Sequence, residues 1–328
     1  MTMGHRLLTV ILNWRTPDMT LKAVAAARAA MTGIAGEIVI VDNDSGDGSE
    51  ARLREAMARQ TGVRVVQSGR NGGFGAGNNA GIAAALAGGD FDLVYVLNSD
   101  AFPAPDAIRA LIDHLDAHPE AGFAGSAIID PGGHTHVTAF RFPSIASEFE
   151  GAVRLGPVSR LLRGRQVHLP VPDTARRVDW LAGASLMMRR AVLDEIGLFD
   201  EAFFLYFEET DLCLRAARAG WQTHYVPASR VEHIGSVSTG MKAWRRVPEY
   251  WFDSRRHYFR KNHGAAYEAA ATAAHVAGGA LHRLRCLLTG RRPADPPHFL
   301  RTLMLHAWAG RRRAAPAAIP RIARLTGA

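Results

Sequence analysis

Cysteine is scarce in this 328-residue chain, which has only Cys213 and Cys286 and no CxxC pair. A disulfide framework or a zinc knuckle needs more cysteines at closer spacing, so we expect neither, and a reducing compartment suits the chain. Long apolar runs are also scarce, since the weakly polar residues 264–281 are alanine-rich and contain Glu268 and His275. Alanine is too weakly apolar for a membrane span, so these residues predict a helix that does not cross a bilayer.

Two common nucleotide-binding fingerprints are missing as well. In NGGFGAGNNAG, residues 71–81, Gly75 and Gly77 are followed by Ala80 where the dinucleotide motif GxGxxG requires glycine. No GK[ST] sequence of a phosphate-binding P-loop occurs either, so neither NAD nor ATP is indicated. The glycines still allow a backbone to approach a ligand closely, although a tight turn without function explains them equally well.

Charge is distributed unevenly along the chain. Residues 1–240 contain 22 Lys and Arg against 27 Asp and Glu, whereas residues 241–328 contain 17 against 4, giving net charges of −5 and +13. We therefore predict an α/β domain over residues 1–240 and a basic helical extension over residues 241–328. Leucines and arginines interleave in LHRLRCLL and HFLRTLMLHAWAGRRR, which places apolar and basic faces on one helix.

This extension favours an anionic membrane surface as its partner over nucleic acid. A solvated tail and a homo-oligomer contact are the alternatives. The first residues, MTMGHRLLTVILNW, lack the pattern of a signal peptide, so export is not expected. Together these features predict a cytoplasmic protein that is peripheral at the inner face of the cell membrane. The arginines expected to make that contact are Arg283, Arg285, Arg291, Arg292, Arg301 and the cluster at 311–313.

Strand-like and helix-like segments alternate through the first hundred residues. LLTVIL, EIVIVDN, VRVVQS and FDLVYVLNSD have the character of strands, and helices separate them, including one over about residues 77–86. Such alternation predicts an α/β fold around a parallel sheet. Ligands bind beyond the carboxyl ends of the strands in such sheets, which is where Asn13, Asp42, Asn43 and Asp100 would lie. An irregular stretch over residues 130–177 is predicted to be a substrate lid or acceptor loop.

Three acids, Glu208, Glu209 and Asp211, lie between an aromatic run and a helix in FFLYFEETDLCLRAARAGW. Ionised carboxylates this close repel one another, so a fold retains them where a metal, a basic partner or a mobile proton offsets the cost. Acids that only cap the helix are the alternative. The strand VYVLNSD, which ends at Asp100, supplies a second acidic site and favours catalysis.

Seven blocks in a fixed order carry a family resemblance: VILNWRTPD, IVIVDNDSGDGS, NGGFGAGNNAGI, VYVLNSD, GASLMMRR, IGLFDEAFFLYFEETDLCLRAARAGW and VEHIGSVS. Over residues 5–265 the chain resembles the family 2 inverting glycosyltransferases, and within them the bacterial rhamnosyltransferases. The resemblance implies a GT-A fold, in which a mixed, mostly parallel sheet binds a nucleotide sugar.

The resemblance also implies roles for individual residues. Asp42 would read the nucleotide base, Asp100 would bind a divalent metal, Mg²⁺ or Mn²⁺, on the donor diphosphate, and His233 would complete the metal site. The carboxylate pair would supply the catalytic base. Further residues expected at the nucleotide sugar are Asn13, Asn43, Gly73, Asn79, Asn98 and Arg255.

This sequence departs from the family pattern at two positions. Asn98-Ser99-Asp100 stands where the family often has Asp-x-Asp, which leaves one carboxylate for the metal. Glu209 stands where many relatives have Asp, so Glu208, Glu209 and Asp211 all remain candidates for the base, with Glu209 preferred. The segment SRRHYFRKNHG, which includes Arg255, either faces a phosphate of donor or acceptor or docks the extension on the core.

We therefore expect a transferase that moves rhamnose from dTDP-rhamnose to a hydroxyl of a cell-surface glycan or lipid-linked acceptor. Inversion requires a base on one face of the sugar while the nucleoside diphosphate leaves from the other. A sugar nucleotidyltransferase is the alternative, but the phosphate loop it needs after the first strand is replaced by Asn13-Trp14-Arg15-Thr16-Pro17. A nucleic-acid-binding protein is suggested by the basic tail alone.

Overall fold

The computed structural model describes residues 4–235, 246–293, 295–309 and 319–322. The strands in these ranges are β1 (Leu7–Asn13), β2 (Gly36–Asp42), β3 (Val63–Gln67), β4 (Leu93–Asn98), β5 (Ala101–Pro103), β6 (Ala121–Ile129), β7 (Ala139–Phe140), β8 (Arg176–Val178), β9 (Trp180–Leu181), β10 (Ser185–Arg189) and β11 (Gln222–His233). The α-helices are α1 (Pro17–Ala30), α2 (Ser49–Met57), α3 (Gly73–Leu86), α4 (Ala107–Ala117), α5 (Ile145–Val153), α6 (Gly156–Leu161), α7 (Arg190–Ile196), α8 (Glu208–Arg218), α9 (Glu249–His263), α10 (Ala265–Leu288) and α11 (Phe299–Ala309). The strands and helices predicted for the first hundred residues are all present, although α3 begins earlier than predicted.

One large mixed sheet organises the chain. Its order is β3-β2-β1-β4-β10-β6-β11-β5, and β8 also pairs with β11. Strands β1, β2, β3, β4, β6 and β11 run in one direction, whereas β5, β8 and β10 run against them. The predicted α/β fold with a mixed, mostly parallel sheet is thus confirmed. In the register of β1, Asn13 is opposite Asp42 and Leu12 is opposite Asn98, so these strands end together at one edge.

Both faces of the sheet are covered, because successive residues of a strand point to opposite sides. Val10 of β1 packs in a cluster with Ile82 of α3 and Leu212 of α8. Its neighbour Ile11 packs in the other cluster, with Leu111 of α4. Parallel strands buried on both faces form nearly continuous apolar runs, as in LLTVIL and EIVIV. The core therefore holds the strand ends rigidly beneath any site built on them.

The described C-terminal helices pack on the rest of the chain. Tyr258 and Phe259 of α9 form a third buried cluster with Phe203, which precedes α8. Further along, Ile322 joins the main core, and the N–H of Leu198 donates to the carbonyl of Pro320 at 2.9 Å. The predicted boundary at residue 240 lies outside the described residues. Among the residues that are described, no helix has the length and apolarity needed to span a bilayer.

A buried ion pair ties α9 to α5 and α10. The guanidinium of Arg255, which is 1% exposed, donates to Glu148 Oε2 at 2.7 Å and to Thr272 Oγ1 at 3.0 Å. His275 of α10 lies 2.7 Å from the same carboxylate oxygen. Burial alone would raise the pKa of Glu148, but Arg255 and His275 outweigh it and lower the pKa to about 2. The carboxylate is therefore ionised at neutral pH and depends on these partners.

We predict that Arg255→Leu lowers the free energy of unfolding by about 3–5 kcal/mol at pH 7, because Glu148 would remain as a buried charge without its main partner. The folded pKa of Glu148 lies below its ordinary value, so the pair contributes stability above about pH 4.5 and loses it as pH falls toward about 2. Urea denaturation at pH 7 and pH 3 measures both effects. Arg260→Leu on the exposed face of α9 is the matched control. Equal stability of the Arg255 variant and wild type at pH 7 would contradict the structural role.

Candidate active site

A cavity of about 570 Å³ opens beyond the carboxyl ends of β1 and β4. Its apolar wall includes Leu12, Trp14 and Phe74. Its polar lining comes from several separate segments and consists of Asn43, Asn71, Asn98, Ser99, Asp100, His136, Thr138, Glu208, Glu209 and His233. The two acidic segments singled out in the sequence, at Asp100 and at Glu208–Glu209, thus share one cavity. This position agrees with the expectation that ligands bind beyond the strand ends.

Asp100 and His233 meet in this cavity although 133 residues separate them. Strand β11 pairs antiparallel with β5, which places His233 opposite Ala101, next to Asp100. His233 Nε2 lies 3.0 Å from Asp100 Oδ1 and 3.3 Å from Asn98 Nδ2. A carboxylate oxygen and an imidazole nitrogen this close can bind one divalent cation together.

The residues present fit a weakly held Mg²⁺ or Mn²⁺ ion. Oxygen and imidazole ligands suit these metals, and diphosphate and water would supply the remaining ligands. Asp100 and His233 would be the protein's ligands to the ion. Within the described ranges, the one group of three acidic or histidine side chains whose ligand atoms converge is elsewhere, at Glu249, Asp253 and His306.

Glu208 and Glu209 begin α8 directly after a strained turn. Tyr206 and Phe207 both adopt left-handed backbone conformations, with φ of 70° and 69°. Such values are unfavourable for aromatic residues and are found where the surrounding fold enforces them. The turn directs both carboxyl groups into the cavity. The backbone N–H of Gly183 donates to Glu209 Oε1 at 3.2 Å, which orients that carboxyl group.

Both carboxyl groups have elevated pKa values. For Glu208, burial is the main cause and the charge of Glu209 adds to it, so the pKa rises well above its ordinary value. For Glu209, burial raises the pKa, although N–H groups at the helix start and at Gly183 oppose the shift. The Oε2 atom of each side chain is buried and has no hydrogen-bond partner. A carboxyl group in this state is suited to accepting a proton near neutral pH.

The glycine-rich segment brings α3 close to the loop before α8. The N–H of Phe74 donates to the carbonyl of Phe204 at 3.0 Å. Gly73 has φ of +88°, and a Cβ atom there would lie 1.7 Å from that carbonyl oxygen, so only glycine fits. Helix α3 begins at Gly73 and not near residue 77 as predicted. Close packing, such as that of Gly75 on Phe199, overrides the low helix propensity of these glycines.

Asn13 and Asp42 lie at the strand ends but do not line the cavity. Asn13 Nδ2 donates to Asp42 Oδ1 at 2.7 Å, and Ser45 Oγ donates to the same oxygen at 2.6 Å. Asn43, in contrast, lines the cavity and donates to Asn71 Oδ1 at 3.1 Å, while its own Oδ1 is buried without a partner. Of these predicted residues, Asn43 is the one placed to contact a ligand directly.

Three further predicted site residues lie outside the cavity, as Asn13 and Asp42 do, and each has partners that explain its position. The amide of Asn79 bonds with the backbone of Phe199 in both directions, at 2.9 and 3.1 Å, and so fixes the loop before α8. Arg255 is the buried partner of Glu148 described above. The expectation that these two side chains contact the nucleotide sugar is therefore not supported by their positions.

Asp211 is the third of these residues. It is fully buried and accepts from Lys261 Nζ at 2.7 Å, Arg215 Nε at 2.9 Å and Asn262 Nδ2 at 2.9 Å. Lys261 also donates to Asp200 Oδ2 at 2.8 Å. A carboxylate with this many donors is a structural ion-pair partner, so Asp211 is no longer a candidate for the base.

Several cavity residues carried no recognisable signal in the sequence. Gly183 belongs to the block GASLMMRR but had no predicted role. His136, Val137 and Thr138 come from the irregular stretch predicted as a lid or acceptor loop. Tyr250 comes from α9, beyond the predicted domain boundary, and its ring lies 5.3 Å from Phe204 and 6.3 Å from Tyr206.

Known proteins are similar to this chain in sequence and in fold. The model for "Glycosyltransferase like family 2" matches residues 5–264. The chain is 34% identical over 244 residues to the N-acetylglucosaminyl-diphospho-decaprenol L-rhamnosyltransferase of Mycobacterium tuberculosis, covering 71% of this chain and 78% of that protein. It is 29% identical over 200 residues to rhamnosyltransferase WbbL of Escherichia coli, covering 60% and 72%.

Among solved structures, GalNAc-T7 with UDP, GalNAc and Mn²⁺ is similar over the whole of this chain, with a TM-score of 0.54 and 15% identity. The chain spans 57% of that structure's chain, and at this identity the likeness concerns the fold. The chain belongs to glycosyltransferase family 2 and has a GT-A fold. It is a glycosyltransferase, which confirms the resemblance found in the sequence and disfavours a nucleotidyltransferase.

We predict that Glu208→Gln stabilises the protein at neutral pH. The folded pKa of Glu208 lies above its ordinary value of 4.5, so the folded chain holds a proton that the unfolded chain releases as pH rises. The glutamine variant should have a larger free energy of unfolding than wild type at pH 7.5 and nearly the same value at pH 4. Urea denaturation at both pH values measures this.

Glu55→Gln, at an exposed position of α2, is the matched control and should change stability little at either pH. A Glu208→Gln variant that is less stable than wild type at pH 7.5 would contradict the dominance of burial over favourable contacts at this carboxyl group.

Proposed function

We propose that this glycosyltransferase moves rhamnose from dTDP-rhamnose to a hydroxyl of a lipid-linked glycan, with inversion of the configuration at the anomeric carbon. The observation that carries the proposal is the pairing of a proton acceptor, Glu209, and a polar Asp100–His233 site within one cavity. The M. tuberculosis and E. coli relatives are named as rhamnosyltransferases, which supports the sugar. The dTDP nucleotide follows from the sequence resemblance.

Glu209 has the chemistry of the base. The N–H of Gly183 donates to its Oε1 and orients the carboxyl group, and the side chain lines the cavity, where an acceptor hydroxyl can approach it. Burial raises its pKa toward the working pH, which strengthens it as a base once it is ionised. Glu208 beside it makes simultaneous ionisation of both groups unfavourable, so the pair holds one proton readily and releases the other.

The donor would occupy the opposite part of this cavity. Asn43, Asn98 and the Asp100–His233 pair supply polar groups for the sugar and the diphosphate. A divalent cation held by Asp100 and His233 would neutralise negative charge on the leaving diphosphate. These side chains would hold the donor with its anomeric carbon toward the hydroxyl that Glu209 deprotonates.

An aromatic wall offers a place for the acceptor. Phe204, Tyr206 and Tyr250 line the same cavity next to Glu208 and Glu209. Flat rings of this kind pack against the apolar faces of sugar rings, and the tyrosine hydroxyls can bond to sugar hydroxyls. The M. tuberculosis relative is named for an acceptor on a diphospho-decaprenol lipid, which supports a lipid-linked acceptor here.

A lipid-linked acceptor suits a peripheral location at the inner face of the cell membrane. The described C-terminal helices expose Leu281 and Leu284 on α10 and Met304, Leu305 and Trp308 on α11. Arg283 and Arg285 lie on α10 and Arg301 lies on α11, so the predicted partnership with an anionic membrane surface remains our proposal. The arginine cluster at 311–313 lies outside the described residues.

We predict that Glu209→Gln lowers kcat by about 10²–10⁴ with little change in donor affinity, because glutamine cannot accept the proton. Activity of the wild-type enzyme should rise with pH as Glu209 ionises, and the residual activity of the variant should not. Transfer to a soluble acceptor analogue across pH 5–9 measures both.

Two variants control for the neighbouring acids. Asp211→Asn should act mainly on stability, since it removes the charge that pairs with Lys261 and Arg215. Glu208→Gln should fold and retain more activity than the Glu209 variant. If Glu208→Gln suffers the larger loss, then Glu208 and not Glu209 is the base.

We predict that Asp100→Ala abolishes metal-dependent donor binding while the protein stays folded. With dTDP-rhamnose at a hundred times its Kd, wild type gains about 2.7 kcal/mol from mass action, which raises its Tm in the presence of Mn²⁺. The variant should show no such rise, and Asp113→Ala on the exposed face of α4 should behave as wild type. UDP-sugars and GDP-mannose, tested in parallel, identify the donor. Full activity of Asp100→Ala at saturating Mn²⁺ would remove Asp100 from the site.

A further inference from the structure

Two segments of the chain are rich in arginine and contain no acid. The first segment is residues 154–165, RLGPVSRLLRGR, which includes α6. The second is residues 283–292, which form the end of α10 and the turn after it. The first segment contains Arg154, Arg160, Arg163 and Arg165, and the second contains Arg283, Arg285, Arg291 and Arg292. The first of them belongs to the catalytic domain, far in sequence from the basic C-terminal extension.

The fold brings these two segments together. Helices α5 and α10 pack so closely that a Cβ atom on Gly278 would lie 2.7 Å from the carbonyl oxygen of Phe149. At the end of α5, the carbonyl of Arg154 accepts from Arg285 Nη2 at 2.7 Å, and Arg154 itself pairs with Asp295 at 2.8 Å. Helix α6 begins at Gly156, two residues after Arg154, so its start lies near the end of α10.

Large apolar side chains project from both segments. Leu161 of α6 is 84% exposed, and Leu287 and Leu288 of α10 are 79% and 78% exposed. Leu155 and Leu284 are also exposed. Leucines this exposed, on two segments that meet where Arg285 bonds to Arg154, indicate a surface that contacts something else. We call these leucines and the eight arginines of the two segments the α6–α10 surface.

We propose that the α6–α10 surface binds an anionic lipid bilayer, with the leucines in the acyl boundary and the arginines at the headgroups. The charge carries the choice of partner, because neither segment contains an acid, and the eight arginines outnumber the acids in contact with them, Asp295 on Arg154 and Glu150 on Ser159 of α6. Protruding leucines suit a bilayer better than nucleic acid, which offers them little apolar surface. The inference rests on the peripheral location proposed above and adds a segment of the catalytic domain to it.

The surface has a consequence for how the enzyme meets its acceptor. Residues 136–138 line the cavity, and α5 and α6 follow them in the chain. The segment from residue 136 to the end of α6 would therefore both line the cavity and contact the bilayer. Attachment through α6 as well as through the C-terminal helices would also restrict the orientation of the cavity relative to the lipid surface.

Point substitutions in the full-length chain test the proposal. A truncation near residue 279 is unsuitable, since it would remove the buried side chains of Leu300, Leu303 and Ile322. The triple variant Arg160→Glu, Arg163→Glu, Arg165→Glu should weaken binding to vesicles of phosphatidylcholine with phosphatidylglycerol by at least about tenfold, because each basic residue at the surface matters several-fold. Leu161→Ser should weaken it severalfold at low and high salt alike.

The control is a second triple variant with the same charge change, Arg28→Glu, Arg59→Glu, Arg109→Glu, at exposed positions elsewhere in the chain. It should bind vesicles within about twofold of wild type. Leu161→Cys carrying an environment-sensitive dye should show a blue shift on anionic vesicles and none on pure phosphatidylcholine. The native Cys213 and Cys286 are buried, which favours labelling at position 161.

Vesicle binding is measured without donor or acceptor, so its result is separate from the proposed reaction. Unchanged vesicle binding by the α6 triple variant, or no dye shift at position 161, overturns the bilayer proposal even if rhamnose transfer is found. If the α6 triple variant changes its oligomeric state in sedimentation velocity but binds vesicles as wild type does, the surface is a protein contact, and the bilayer proposal is overturned. Loss of transfer to lipid-linked acceptor in vesicles, with transfer to a soluble acceptor retained, supports it.

Discussion

Two carboxyl groups buried side by side impose the main constraint on this structure. Glu208 and Glu209 begin α8 in the wall of the cavity, and each has a buried oxygen without a hydrogen-bond partner. Their burial opposes folding whenever they are ionised, because charge leaves water without full compensation. Contacts on either side hold the two residues in place. Phe74 and Asn79 of α3 bond to the loop that precedes α8, and Asp211 within α8 forms ion pairs with Arg215 and Lys261.

The ion pairs beside α8 depend on the helix that follows the predicted domain boundary. Lys261 of α9 bridges Asp200 and Asp211, and His257 lies 2.9 Å from Asp200. These contacts fix both the loop that precedes α8 and the first turns of the helix. Because α9 also supplies Tyr250 to the cavity, the site is built jointly by the sheet domain and the helix after it. The uneven charge along the sequence did not reveal this, since it reports net charge and not specific pairs.

Residues at the strand ends show where sequence reasoning succeeds and where it stops. Asn43 and Asp100 line the cavity, as expected for polar residues after buried strands. Asn13 and Asp42 have the same sequence context, yet they bond to each other beside the cavity. The difference arises because hydrogen-bond partners such as Ser45 compete for these groups, and that competition depends on three-dimensional geometry.

Apolar periodicity and ordered motifs are local properties of the chain, so the alternation of strands and helices, the α/β class and the family could be predicted before the fold was known. It also identified Asp100, His233 and the Glu208–Glu209 pair as residues of interest. Which of these residues meet depends on the folded chain, and the fold places Asp211 and Arg255 in structural ion pairs. The physical reason is that a carboxylate or guanidinium takes its role from partners 50 to more than 100 residues away. Such partners are chosen by packing of the folded chain, which no local pattern records.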